Sequence, residues 1–223
     1  MHLDLIDQLR CPQDHPGLGV AVALVCVPTS VHGRDLVSAT LGCPVCHAQY
    51  GVLEGVAWFG GGSMPPAPPA ANRPPTDDEL TRLAALLGLD TPGAVVLLHG
   101  DWASYAEALV KQFEVRPICV LDGPAPAGDL GRSTLAGVHD TLPLASGIVR
   151  GAALDVSATA ALLRSAAATL TPNGRLVAPT GCVVPPLLAE LARDAHHWVA
   201  EPRAASVTLQ RARPPSPRRT PGQ

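Results

Sequence analysis

Apolar residues recur in several rhythms along this chain, and each rhythm predicts a different element. Val20, Val22, Leu24 and Cys26 alternate with their neighbours and so share one face of a strand. Leu80, Leu83, Leu86 and Leu87 follow helical spacing behind Thr76-Asp77-Asp78-Glu79, a capping box in which hydroxyl and carboxylate satisfy free first-turn amides. Gly88 is placed to end that helix. Residues 94–98 and 117–121 are short continuous apolar runs, the mark of strands buried on both faces. Between them, the turn His99-Gly100-Asp101 leads into an alanine-rich helix reaching about Phe113. Further strands are expected over 135–140, 147–154, 175–179, near Trp198 and over 205–210, with helices over 157–170 and 186–194. Strands alternating with helices predict a parallel sheet whose ligands bind at the carboxyl ends of the strands.

Two stretches break the rhythm. Residues 60–75 are rich in glycine and proline and carry no apolar period, which marks a connection. The chain is thereby divided into a module over 1–59, a linker over 60–75, an α/β domain over 76–212 and a basic tail over 213–223 that reads as disordered. A module as small as the first needs a staple such as a metal ion.

Composition narrows the functional classes. With 47% hydrophobic and 16% charged residues the chain has material for a core, and with 3% aromatics it is a poor candidate for binding by stacking on many rings. The amino terminus has acids where a secretion signal has a basic head, and no apolar run approaches the ~20 residues of a membrane span. A cytoplasmic protein without membrane contact is expected, and there its 6 cysteines read as thiols or metal ligands. Arg203, Arg211, Arg213, Arg218 and Arg219 fall in a stretch without acids, although the chain as a whole carries −3. This end reads first as a solvated tail, with RNA as the alternative partner through phosphate contacts.

Candidate chemistry starts with the cysteines. Cys43-Pro44-Val45-Cys46 is a C-x2-C knuckle, and Cys11-Pro12 begins another that lacks its second cysteine. His15 completes a Cys3His set suited to tetrahedral zinc, Asp14 is the alternative fourth ligand, and His47 is a weaker one because it adjoins Cys46. Cys26 needs no ligand role and reads as a core thiol.

The order Leu9-Arg10-Cys11-Pro12, then Leu41-Gly42-Cys43-Pro44-Val45-Cys46, then Ala48-Gln49-Tyr50-Gly51-Val52 and Glu54-Gly55-Val56-Ala57-Trp58-Phe59 resembles the small zinc-ribbon proteins that activate tRNA, ribosomal and release-factor methyltransferases. The resemblance implies zinc on Cys11, Cys43 and Cys46, with the fourth position departing at Asp14. It also implies a module that binds and stabilises a methyltransferase domain. The partner would be another protein or a second copy of this chain.

Residues 76–212 resemble the class I S-adenosylmethionine-dependent methyltransferases, chiefly through Asp140-Thr141-Leu142-Pro143-Leu144-Ala145 and Leu170-Thr171-Pro172-Asn173-Gly174-Arg175-Leu176-Val177. The resemblance implies a Rossmann-like fold and S-adenosylmethionine as cofactor. It places Asp122 at the ribose hydroxyls, Asp140 at the adenine amine, and His99, Gly100 and Asp101 along the methionine end. The turn departs from the family: it has one glycine, no acid on the strand before it, and Trp102 where a small residue lets backbone approach the cofactor. Asp101 reads as a helix N-cap, with cofactor contact as the alternative. His99 is either structural or a proton-transfer group. Leu154-Asp155-Val156-Ser157 stands where methyltransferases acting on amide or adenine nitrogen carry Asn-Pro-Pro-Tyr. The expected function is a non-catalytic scaffold or regulator of methylation, the alternative an active methyltransferase with an atypical cofactor loop. No catalytic residue is singled out.

Overall fold

The computed structural model describes residues 1–66, 74–125 and 133–203. The strand expected over 205–210, most of the arginine-rich end and the centre of the linker lie outside the described residues.

The chain opens with a 3-10 turn, Leu3–Gln8, followed by an antiparallel meander of β1 (Val25–His32), β2 (Asp35–Gly42), β3 (Gln49–Leu53) and β4 (Val56–Trp58). The alternating run therefore becomes a strand later than its pattern suggests. Leu24 is buried and Val22 and Cys26 pack partly against the core, whereas Val20 is 71% exposed. Helix α1 (Asp77–Leu87) begins at the expected capping box, with Thr76 accepting from the Glu79 amide and Glu79 accepting from the Thr76 amide, and ends at Gly88 in the left-handed region.

The α/β part continues with β5 (Val95–His99), a 3-10 turn (Gly100–Tyr105), α2 (Ala106–Phe113), β6 (Arg116–Leu121), β7 (Ser133–Ala136) and β8 (Val149–Ala153). It closes with α3 (Ala160–Thr169), β9 (Leu170–Pro179), β10 (Leu188–Arg193) and β11 (His197–Pro202). The helix expected over 186–194 is instead the strand β10. Pairing with β11 from Leu188 opposite Pro202 to Arg193 opposite Trp198 outweighs the helical preference of its Leu and Ala residues. Likewise the strand expected over 135–140 stops at Ala136, because Gly137 turns in the left-handed region. A side chain there would strike the backbone of Gly60, 2.4 Å from its amide nitrogen.

The strands form one sheet ordered β1-β2-β3-β4-β7-β6-β5-β8-β9-β11-β10. From β7 to β9 neighbours run parallel, and the antiparallel β11 closes against β9. The chain proceeds outward from β5 through β6 to β7, then returns to place β8 on the other side of β5. This reversal is the Rossmann-type switch in strand order. Successive residues of β5 point to opposite layers: Val96 and Leu98 join α1 and α2, while Leu97 joins the core that contains α3. The fold is thus α/β, a small ribbon-like β module followed by a Rossmann-like domain.

The two parts share backbone and core. Strand β4 adds to the sheet in parallel beside β7, with Val56 opposite Thr134 and Trp58 opposite Ala136. A second seam joins residues 8–10 to 143–145, where the Arg10 amide donates to the Pro143 carbonyl at 2.9 Å and the Ala145 amide donates to the Gln8 carbonyl at 2.7 Å. A single buried cluster runs from Leu9, Leu41 and Ala57 to Leu135, Leu144 and Leu163. Truncating one such leucine would cost about 2–5 kcal/mol, and near the seams that cost would fall on both parts at once. Among the described residues no helix is long and apolar enough to cross a membrane.

Candidate functional site

Two constellations of polar side chains stand out. The first is at the ribbon's tip. The β2–β3 connection carries Cys43 and Cys46, and the Cys43 amide donates to the Ala48 carbonyl, closing the knuckle around His47 in the left-handed region. Cys11 is held opposite by its amide, which donates to the Val22 carbonyl at 2.8 Å. One donor atom from each of Cys11, His15, Cys43 and Cys46 lies within 4.8 Å of all the others. Among the three candidates for the fourth position, His15 is the residue in this group; Asp14 lines the adjacent cleft with Thr141, and His47 serves the turn.

The spacing can be tested against tetrahedral geometry. Zinc–sulfur bonds of about 2.3 Å put two thiolates about 3.8 Å apart, and a thiolate and imidazole about 3.6 Å apart. Cys11 Sγ and Cys46 Sγ are 3.7 Å apart, and His15 Nε2 is 3.3 Å from Cys43 Sγ. The donor set fits a zinc-sized ion.

Their acidities are pulled apart. Burial pushes the Cys11 thiol up to about 11 despite hydrogen bonding with Tyr50. Burial acts the same way on Cys43, but the amides of Cys46 and Val45, then the Cys46 and His15 side chains, hold it down at about 6. A thiolate aimed at by backbone amides is a ready metal ligand.

The second constellation lies at the switch point, at the carboxyl ends of β5, β6 and β8. His99, fully buried, has Nε2 3.1 Å from Asp122 Oδ1 and Nδ1 3.1 Å from Asp155 Oδ1, the latter an ion-pair contact without hydrogen-bond alignment. Asp155 Oδ2 accepts the Asp101 amide at 2.9 Å, and Oδ1 accepts the Ser157 amide at 3.0 Å. The Ser157 hydroxyl sits 2.7 Å from Asp155 Oδ1 and 2.9 Å from Asp122 Oδ2, with one proton to give. Burial would lower the affinity of His99 for its proton, but Asp155 and Asp122 outweigh it and raise the pKa. For Asp155, burial acts upward and is overcome by His99, the Asp101 amide and Ser157, leaving its carboxyl well below the usual range. The cluster is an imidazole held between two carboxylates, which favour its protonated form.

Of the residues that the resemblance implies around a cofactor, His99, Gly100, Asp101 and Asp122 meet at the carboxyl ends of β5, β6 and β8. Gly100 is left-handed at φ +60, and a Cβ there would lie 1.9 Å from Asp155 Oδ2. The room that glycine provides is taken by a carboxylate. Asp101 does not cap the turn through its side chain; what it contributes is its backbone amide to Asp155. Asp140 is exposed and accepts the Thr159 hydroxyl at 2.9 Å. Trp102 seals the bend, its indole donating to the Leu154 carbonyl at 3.3 Å and its ring packing on Tyr105 and His197. The space beside Gly100 is filled by a carboxylate, and Asp122 and Asp155 are both engaged by His99 and Ser157.

The motif Asp140 to Ala145 also has a different use: Pro143 and Ala145 clamp the ribbon along the second seam. In the sequence Asp155 and Ser157 stand out only for the motif they replace, and their link to His99 is not foreseen there. The available signal was their position just past a buried strand in an Asp-x-Ser turn pattern.

No family model matches this sequence, and no curated protein matches it. Among solved structures it is similar to a putative methyltransferase from an antibiotic biosynthesis pathway of Anabaena variabilis ATCC 29413, at 17% identity over 49% of this chain and 47% of that one, with a TM-score of 0.41. It is similar to geranyl diphosphate C-methyltransferase from Streptomyces coelicolor A3(2), solved with S-adenosyl-L-homocysteine, at 19% identity over 45% of this chain and 42% of that one, TM-score 0.38. The chain thus spans under half the length of both. The antibiotic-resistance methyltransferase Kmr is similar at 15% identity over 56% of this chain and 93% of its own, TM-score 0.37.

Proposed function

We propose that this chain is a zinc-loaded, methyltransferase-like scaffold that regulates methylation by contact with another protein or a second copy of itself, without turning over S-adenosylmethionine. The observation that carries the reading is Asp155 lying in the glycine space of the β5 turn while bound to His99, which is bound in turn to Asp122. Expelling the carboxylate to admit a ligand would leave the buried His99 ring with one of its two carboxylate partners, at a cost of several kcal/mol. The Cys3His corner supports the zinc, whose part is to cross-link the ribbon and so hold β4 against β7.

Isothermal titration of the purified full chain with S-adenosylmethionine and S-adenosylhomocysteine tests this. No heat of binding is expected up to millimolar ligand. Saturable binding in the micromolar range would overturn the scaffold reading and favour an active methyltransferase.

A further inference from the structure

At the opposite, amino-terminal ends of the strands lies a cavity of about 640 Å3, roofed by the 3-10 turn Leu3–Gln8 of the ribbon and floored by the starts of β6 and β7. Its walls are mostly apolar: Leu5, Val110, Val115, Ile118 and Ile148 converge on it from both parts of the chain. The size is in the range of small-molecule sites, ~300–1,000 Å3, which pair such walls with a few placed polar groups. Here those groups include Arg116, Asp4 and the buried Ser133.

The charges at the mouth decide what class of ligand suits it. Asp4 Oδ1 is paired with Arg34 at 2.6 Å, while Arg116 reaches Asp4 Oδ2 only at 3.5 Å. Two guanidinium groups thus address one carboxylate, and Arg116 holds the looser contact at the edge of the apolar walls. A second carboxylate could take the Arg116 fork in two parallel hydrogen bonds and leave the Arg34 pair intact. A cation would meet an Asp4 already neutralised from both sides.

We propose that this cavity binds a small amphipathic carboxylate, its hydrocarbon body against Leu5, Val110, Ile118 and Ile148 and its head group on Arg116. The site is independent of the strand-end cluster and of the metal corner. Because its roof and floor come from different parts of the chain, an occupant would also tie the ribbon to the α/β domain.

Titration of the full chain with hexanoate, octanoate and decanoate tests the proposal. Affinity is expected to rise about fourfold per added methylene, the equivalent of ~0.8 kcal/mol each, until the chain outgrows the cavity. Octanol should bind about tenfold more weakly than octanoate, and Arg116→Ala should bring octanoate down to the octanol level without changing octanol. Val110→Trp, at a helix position 41% exposed and therefore compatible with folding, should block both ligands while leaving the thermal melt unchanged. Octylammonium binding as tightly as octanoate, affinity indifferent to chain length, saturation by none of these ligands at millimolar concentration, or binding that survives Val110→Trp would each overturn the proposal.

Discussion

The metal corner and the strand-end cluster each gather charged or chargeable side chains from distant parts of the chain, but their charge is balanced in opposite ways. At the corner, three thiols and an imidazole crowd within ligand distance of one another, and the internal hydrogen bonds among them satisfy only part of their capacity. That arrangement leaves its donors open to a cation from outside. At the strand ends the partner is built in: the His99 imidazole lies between Asp122 and Asp155, and Ser157 and the Asp101 amide take up remaining carboxylate lone pairs. Convergent polar groups invite a ligand when their charge is left open, and stiffen the fold when the protein has closed it.

The largest expected effect breaks the first half of this comparison. Cys43→Ser should remove stoichiometric zinc, read by elemental analysis, and lower stability by several kcal/mol, read by urea denaturation, because metal binding to such a module is folding free energy. A loss below about 1 kcal/mol with metal content unchanged would place the corner with the self-satisfied clusters. Next in size, Asp155→Ala should cost about 3–5 kcal/mol, since it leaves the buried His99 with one carboxylate partner instead of two and frees the space beside Gly100. If that variant keeps wild-type stability and gains S-adenosylmethionine binding, the carboxylate is a plug.

The pH dependence sharpens the second half. His99 has a folded pKa above its ordinary 6.5, so its contribution is whole below 6.5 and fades as pH rises through the folded value. Asp155, depressed from 3.8, contributes above 3.8 and loses that contribution as pH falls through its folded value. Stability from this cluster should therefore plateau between 3.8 and 6.5 and decline above it. The decline should be absent in His99→Gln when urea midpoints are compared across pH. Smallest of all, Lys111→Ala breaks an exposed i,i+4 pair with Glu107 belonging to neither constellation, and should shift stability by no more than about 0.5 kcal/mol. A larger shift there would show that exposed charge pairs matter more in this fold than either constellation implies.

Much was legible from local chemistry. The capping box at Thr76, the stop at Gly88 and the buried runs that become β5 and β6 are short-range signals, and each falls within a residue or two of its element. The Cys3His set was readable because ligand spacing is tied to a knuckle only a few residues long. Where pairing across the sheet outweighs local preference, the reading failed: β10 was expected as a helix, and β7 ends before Gly137, where the backbone of Gly60 crosses. The role of Asp155 was hidden for a similar reason, since its partners His99 and Asp101 lie more than fifty residues away.

What the amino-acid sequence determined by itself was the inventory: an alternation of buried strands and helices, a ribbon with three cysteine donors and the fourth position open, and a bend with one glycine and a tryptophan. These follow from apolar periodicity, turn chemistry and residue type, all expressed within a few neighbouring positions. The tertiary structure alone decided that β4 joins β7 in a single sheet, that the Leu-Pro motif clamps the ribbon, and that the carboxylates at the strand ends close on His99. Those outcomes depend on strand order and on distances between remote residues, and a buried charge takes whatever partner the packing brings within reach.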